Sequence, residues 1–172
     1  GVAARDGAPP RRAHRGDVVC ARLARWCAAS GVRRVITGHQ PHGDLPLVIG
    51  GGGGVGGLRV IAADTSYSDL EAEDRRGSAV AEVLVAGATP DDNAARVHGR
   101  LSDANRRAAV DTVLEDDPCV GRRTADGRWV RARLVGEERY LLSRPGDASA
   151  PGAGITYSRE SIENTLALLQ PA

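Results

Sequence analysis

Residues 128–134 read Arg-Trp-Val-Arg-Ala-Arg-Leu, an alternation of charged and apolar side chains bracketed by turn signals. A period of two sets one face against a core and the other in water, the pattern of a half-buried antiparallel strand. Asp126-Gly127 before it and Gly136-Glu137 after it are hairpin turn pairs. Further short apolar runs at residues 95–101, 110–114, 140–142 and 155–157 are separated by turn residues. The second half of the chain is therefore expected to fold as short strands. Residues 143–154, with Pro145 and Pro151, read as a loop. Ser158 is placed to cap a closing amphipathic helix over 159–169, with Ile162, Leu166 and Leu169 facing inward.

The first half has a different order. Residues 1–16 are rich in Gly, Ala, Pro and Arg, carry no apolar period, and are expected to be loop or disordered. Asp17 can cap a helix running to Ser30, with Val19, Leu23, Trp26 and Cys27 on one stripe and Gly31 as its stop. A β-branched strand follows at 33–37, then a polar loop at 38–44, then apolar runs at 45–49 and 58–63 joined by the glycine-rich residues 50–57. Residues 79–86 again have strand character, and Thr89-Pro90-Asp91-Asp92 breaks the chain, so a soft boundary is expected near Gly87. The segments are then 1–16 as tail, 17–87 as one domain portion, and 88–172 as a β-rich accessory region ending in a helix. The fold class is α/β (α+β).

The formal charge is only +1, so no long-range field favours nucleic acid or an anionic membrane. The arginine pairs 11–12, 33–34 and 106–107 read as solvated faces. No apolar run reaches the roughly 18 residues that span a bilayer. The three cysteines, Cys20, Cys27 and Cys119, form no CxxC pair. They read as buried small hydrophobes and favour a reducing, intracellular compartment.

Chemistry concentrates in Thr37-Gly38-His39-Gln40-Pro41-His42-Gly43-Asp44. Pro41 stiffens this loop, and Gly38 and Gly43 permit sharp turns on its flanks. Because it follows a buried strand, its imidazoles should emerge at a strand's C-terminal end, where open α/β sheets place their sites. Two neutral imidazoles suit Mn, Fe or Zn, and Asp44 could orient one of them through its free N–H. Asp64, with Thr65, Ser66 and Tyr67, reads either as the wall of a phosphate pocket, beside a parallel strand, or as a strand-closing turn.

Residues 31–44, Gly-Val-Arg-Arg-Val-Ile-Thr-Gly-His-Gln-Pro-His-Gly-Asp, resemble the strand and GHxH-type motif of calcineurin-like metallophosphoesterases, a likeness covering about residues 17–86. The resemblance implies a β-sandwich flanked by helices, of which this chain would hold the C-terminal part, followed by a β-rich extension. It implies His39 and His42 as ligands of a divalent metal pair (Mn, Fe or Zn) in the complete protein, with His42 as a catalytic residue that alternatively contacts substrate phosphate. Gly38, Asp44 and Asp64 would lie around them. Such a centre hydrolyses a phosphate ester of a phosphoprotein, nucleotide or small molecule by metal-activated hydroxide, the metals about 3.5–4 Å apart. Gln40-Pro41 adds a residue to the tightest form of the motif, and the family's DxH, GDxxD and GNH motifs are missing from the sequence. The chain is accordingly expected to be inactive by itself. The alternative is a non-catalytic protein-binding module built on a remnant of that scaffold.

Other features read structurally. Gly51, Gly53 and Gly56 fit G-x-G-x-x-G, but a strand follows them where a helix N-terminus is needed for pyrophosphate. His98 reads as a structural histidine without a partner, Trp26 and Trp129 as core anchors, and Asp116-Asp117-Pro118 as a turn. Ser66 lacks the elbow of a nucleophilic serine.

Overall fold

A computed structural model describes residues 15–39, 42–50, 57–65, 79–89, 92–101, 108–145 and 155–169. Residues 1–14 of the expected tail, residues 51–56, and Ser66 and Tyr67 lie outside the described residues, while Arg15 and Gly16, expected in the tail, already belong to the first helix. Among the described residues the architecture is α+β: three three-stranded sheets and two helices. The first sheet contains β1 (Arg34–Thr37), β2 (Leu47–Ile49) and β3 (Arg59–Ala62) in the order β1-β3-β2. Its central strand β3 runs parallel to β1 and antiparallel to β2. The second is a meander of β4 (Ala79–Ala86), β5 (Ala94–Leu101) and β6 (Ala108–Val113). The third is a meander of β7 (Trp129–Arg133), β8 (Arg139–Pro145) and β9 (Ile155–Ser161).

One core joins all three sheets. Val48 and Ile61 from the first pack with Ala95 and Val97 from the second and with Val130, Tyr140 and Leu142 from the third. A second cluster sets Leu45 among Leu101, Val110, Ala132, Leu134 and Leu141. The boundary expected near Gly87 falls in the turn between β4 and β5, which are paired over their whole length, and the shared core runs across it.

Helix α1 (Arg15–Ala29) closes on Gly31, whose φ of 72° is the left-handed geometry that stops a helix. Its inward face differs from the expected stripe. Ala24 and Cys27 are buried against Leu58, whereas Leu23 is 49% and Trp26 65% exposed. Trp26 is not a core anchor: the helix turns Ala24 and Cys27 toward Leu58, Val35 and Val60, which leaves Trp26 on the outer side. The closing helix α2 (Ile162–Leu168) begins later than expected, with Ser161 as its cap. Residues 155–161 stay extended because they pair in register with β8. Phase shifts with the start, so Thr165 is buried and Leu166 exposed, while Ile162 and Leu169 pack on the core.

Two polar knots hold the sheets. Asp117 accepts hydrogen bonds from the amides of Cys119 (2.9 Å) and Val120 (3.1 Å) and from the Tyr140 hydroxyl (2.9 Å), which confirms a turn there. Burial pushes the Tyr140 hydroxyl well up and the Cys119 thiol up, so both stay neutral. Cys27 and Cys119 are both buried and free. Glu115, following β6, ties the first sheet to the second. Its Oε1 accepts from Arg34 (2.6 Å) and Arg59 (2.9 Å), and its Oε2 from the Ala95 amide (2.8 Å).

Burial alone would raise the Glu115 pKa, but the Ala95 amide and Arg34 outweigh it and hold the carboxyl below its ordinary 4.5. A carboxylate with a depressed folded-state pKa stabilises above the unfolded value and loses that contribution as pH falls through the folded one. Glu115→Gln should therefore cost about 1–2 kcal/mol near neutrality, as charged hydrogen bonds of a partly exposed group do. Urea melts at descending pH should show the native chain losing stability below pH 4.5 more steeply than the variant.

Candidate functional site

Strand β1 leads directly into the histidine loop. The parallel β1–β3 pair places the C-terminal ends of the two strands side by side, with the Ala63 amide donating to the Thr37 carbonyl at 2.9 Å. Residues 38–44 and Asp64 thus leave the same sheet edge, the neighbourhood anticipated for a parallel strand beside the histidine strand. Gly38 and His39 are exposed, and His39 has a φ of 77°, a left-handed geometry that costs a non-glycine residue. Gln40 and Pro41 lie outside the described residues.

From His42 onward the loop turns inward. His42 and Asp64 are half-buried, while Gly43, Asp44 and Leu45 are buried. Leu45 enters the second core cluster and touches Gly99 on β5. Gly43 has a φ of 91°, and a Cβ there would stand 2.4 Å from the Tyr157 hydroxyl. That hydroxyl in turn accepts the Asp44 amide proton at 2.6 Å.

The group that fixes this loop is Arg131, a residue the alternating pattern assigned to solvent. A β-bulge between Val130 and Ala132 makes it the extra residue of β7. The bulge breaks the period of two, so Val130, Arg131 and Ala132 are all buried. One guanidinium nitrogen donates to the carbonyls of both His42 (2.9 Å) and Leu45, and another to the Ser143 hydroxyl at 3.4 Å. Its Nε has no hydrogen-bond partner among the described residues. Burial lowers the Arg131 pKa, and the charges of Tyr157 and Asp44 act against that shift.

Asp44, expected to orient an imidazole, is buried and acts electrostatically on Arg131. His98 departs from expectation: it is exposed on β5, with Nδ1 3.3 Å from Glu82 Oε1 on β4.

The loop carries the imidazoles of His39 and His42 and the carboxylate of Asp44, with Asp64 leaving the same end of the sheet. Among the described residues, no three His, Cys, Asp or Glu side chains gather as a metal ion would require. A dinuclear centre needs more ligands than these, so no chemical step is assigned to a metal. Arg131 and Tyr157 were missed because a bulge and a contact between distant segments leave no periodic signal.

The loop's anchoring can be tested by substitution. Arg131→Lys keeps a cation but cannot hold two carbonyls and a hydroxyl in one planar fork. A loss of about 2–3 kcal/mol is expected in chemical denaturation, with faster amide exchange at residues 43–45. Gly43→Ala should cost about 2–4 kcal/mol, through its φ and the contact with Tyr157. Adding Tyr157→Phe should restore only the steric share, and a double-mutant cycle separates the two.

Compared with known protein families, with curated proteins and with solved structures, the chain matches none of them, so the reading of this site rests on its own geometry.

Proposed function

We propose that this chain is a non-catalytic protein-binding module. One observation carries the reading: an open groove of about 390 Å³ between β1 and the turn joining β4 to β5, with large apolar side chains left in water around it. Ile36 and Val85 line it at 49% and 50% exposure, one from each side. Clustered apolar exposure of this kind marks surfaces that meet a partner. The histidine loop, in this reading, is a corner of the scaffold, with its second half committed to the core.

A panel of phage-displayed random peptides panned on the full chain tests the proposal. Enriched peptides should bind the native chain and lose about tenfold or more in affinity for an Ile36→Glu, Val85→Glu variant, since charge replaces apolar contact at two central positions. No enrichment over the bare support would defeat it.

A second reading keeps the phosphoesterase resemblance. Its support is the parallel β1–β3 pair, which brings Asp64 and the loop of His39 and His42 to one sheet edge. In a complete protein with further ligands, His39 and His42 would hold one corner of a divalent metal pair acting on a phosphate ester, with Gly38, Asp44 and Asp64 around it. Equilibrium dialysis against Mn²⁺ or Zn²⁺ tests the second reading. Stoichiometric retention at micromolar metal, lost in His39→Ala and His42→Ala, would favour it over the first.

A further inference from the structure

The main chain of β1 narrows what the groove can accept. The carbonyls of Arg33 and Thr37 accept from the amides of Arg59 and Ala63, each at 2.9 Å, and the parallel register sets Val35 between them. Alternate residues of a strand direct their N–H and C=O to opposite edges. Arg33, Val35 and Thr37 therefore bond to β3, and Arg34 and Ile36 present their N–H and C=O to the other edge. Both residues line the groove. Among the described residues no strand pairs with β1 on that side.

Charge narrows the choice further. Arg34 and Arg59 share the single carboxylate of Glu115, which leaves a net positive charge at this wall. Arg34 is among the described residues that line the groove and no Asp or Glu is, the Asp92 carboxylate standing behind the facing rim where it accepts from Thr89. Across from β1 stand Val85, Ala88, Thr89 and Asn93, and Arg34 clamps Asn93 by its side-chain and main-chain oxygens.

We propose that the free edge of β1 accepts an extended, acidic peptide segment of a partner protein as a fourth strand of the first sheet. This rests on the binding-module reading and specifies its partner. Main-chain bonds to Arg34 and Ile36 supply register. Alternate apolar side chains of the segment settle on Ile36 and Val85, and its carboxylates meet the surplus guanidinium charge. Strand addition of this kind draws affinity from the backbone and specificity from alternate side chains. Four residues of β1 at about 3.3 Å each set a contact about 13 Å long, so the recognised segment is short.

The test uses the full chain and an acetylated, amidated hexapeptide Val-Glu-Val-Glu-Val-Glu, followed by amide chemical shifts. Expected are saturable shifts at residues 33–37, weakened by added salt, with the Val-Lys-Val-Lys-Val-Lys peptide at least about tenfold weaker. Ile36→Pro removes an N–H that points into the groove and is not used by β3, and should lower affinity about tenfold. A peptide N-methylated at alternate residues tests the same bonds without touching the protein's fold. Its binding should fail in one methylation phase and persist in the other. Equal binding in both phases, or equal binding of the lysine peptide, would overturn strand addition. Panned peptides that shift only residues outside the groove would overturn it while leaving the binding-module reading standing. A panning experiment without any binder defeats that reading itself.

Discussion

A guanidinium buried away from water has to be compensated where it lies, and much of this fold is arranged around the compensation given to Arg131. Removing an ionised side chain from solvent costs several kcal/mol even after relaxation. Here the cost is offset by two carbonyls of the 42–45 loop, the Ser143 hydroxyl and the nearby charge of Asp44. These partners come from the first sheet's connection and from β8, so one side chain binds the loop to the third sheet. Leu45 then seats that loop in the core, and the Tyr157 hydroxyl takes the Asp44 amide proton. The loop's shape follows from what Arg131 needs as much as from its own sequence.

Glu115 plays the complementary part at the other end of the first sheet. It gathers Arg34, Arg59 and the start of β5 on one carboxylate, fixing β1 and β3 relative to the second meander. The groove beside β1 owes its depth to this clamp, because Arg34 draws Asn93 and the adjoining turn toward the strand. A cation satisfied by carbonyls and an anion satisfied by cations therefore orient the three small sheets around a core of modest side chains. Neither group could be exchanged for an apolar residue of similar size without stranding its partners.

How far the sequence foretold this depends on whether the signal was periodic. The existence of strands β4 to β9 was legible, since alternation and turn pairs such as Asp126-Gly127 and Gly136-Glu137 are local properties, but β8 runs on through Pro145 where a loop was expected, because residues 143–145 pair with β9. The parallel approach of β3 to β1, the strand that enters the histidine loop, was also legible, from their order and the polar segments after them. Arg131 was not: a single extra residue reverses the phase of a strand, and nothing in Val-Arg-Ala announces the extra residue. Trp26 misled for a related reason, as two neighbouring stripes of α1 carry apolar side chains and only the facing sheet decides between them. In α2 the pairing of residues 158–161 with β8 overrode a plausible cap at Ser158. The two histidines were easy to notice, but what surrounds them is settled by tertiary contacts that spacing does not encode.

Strand β4 carries a further consequence. It lies at the edge of its sheet, and along Val-Ala-Glu-Val-Leu-Val the only charge is Glu82, itself exposed beside His98. Long apolar edges template pairing with other chains unless a charge interrupts them. Glu82 is thus the gatekeeper of this strand. Its carboxylate is too exposed to add much to the fold, and replacing it by an apolar residue would leave an uninterrupted apolar edge on which other copies could pair.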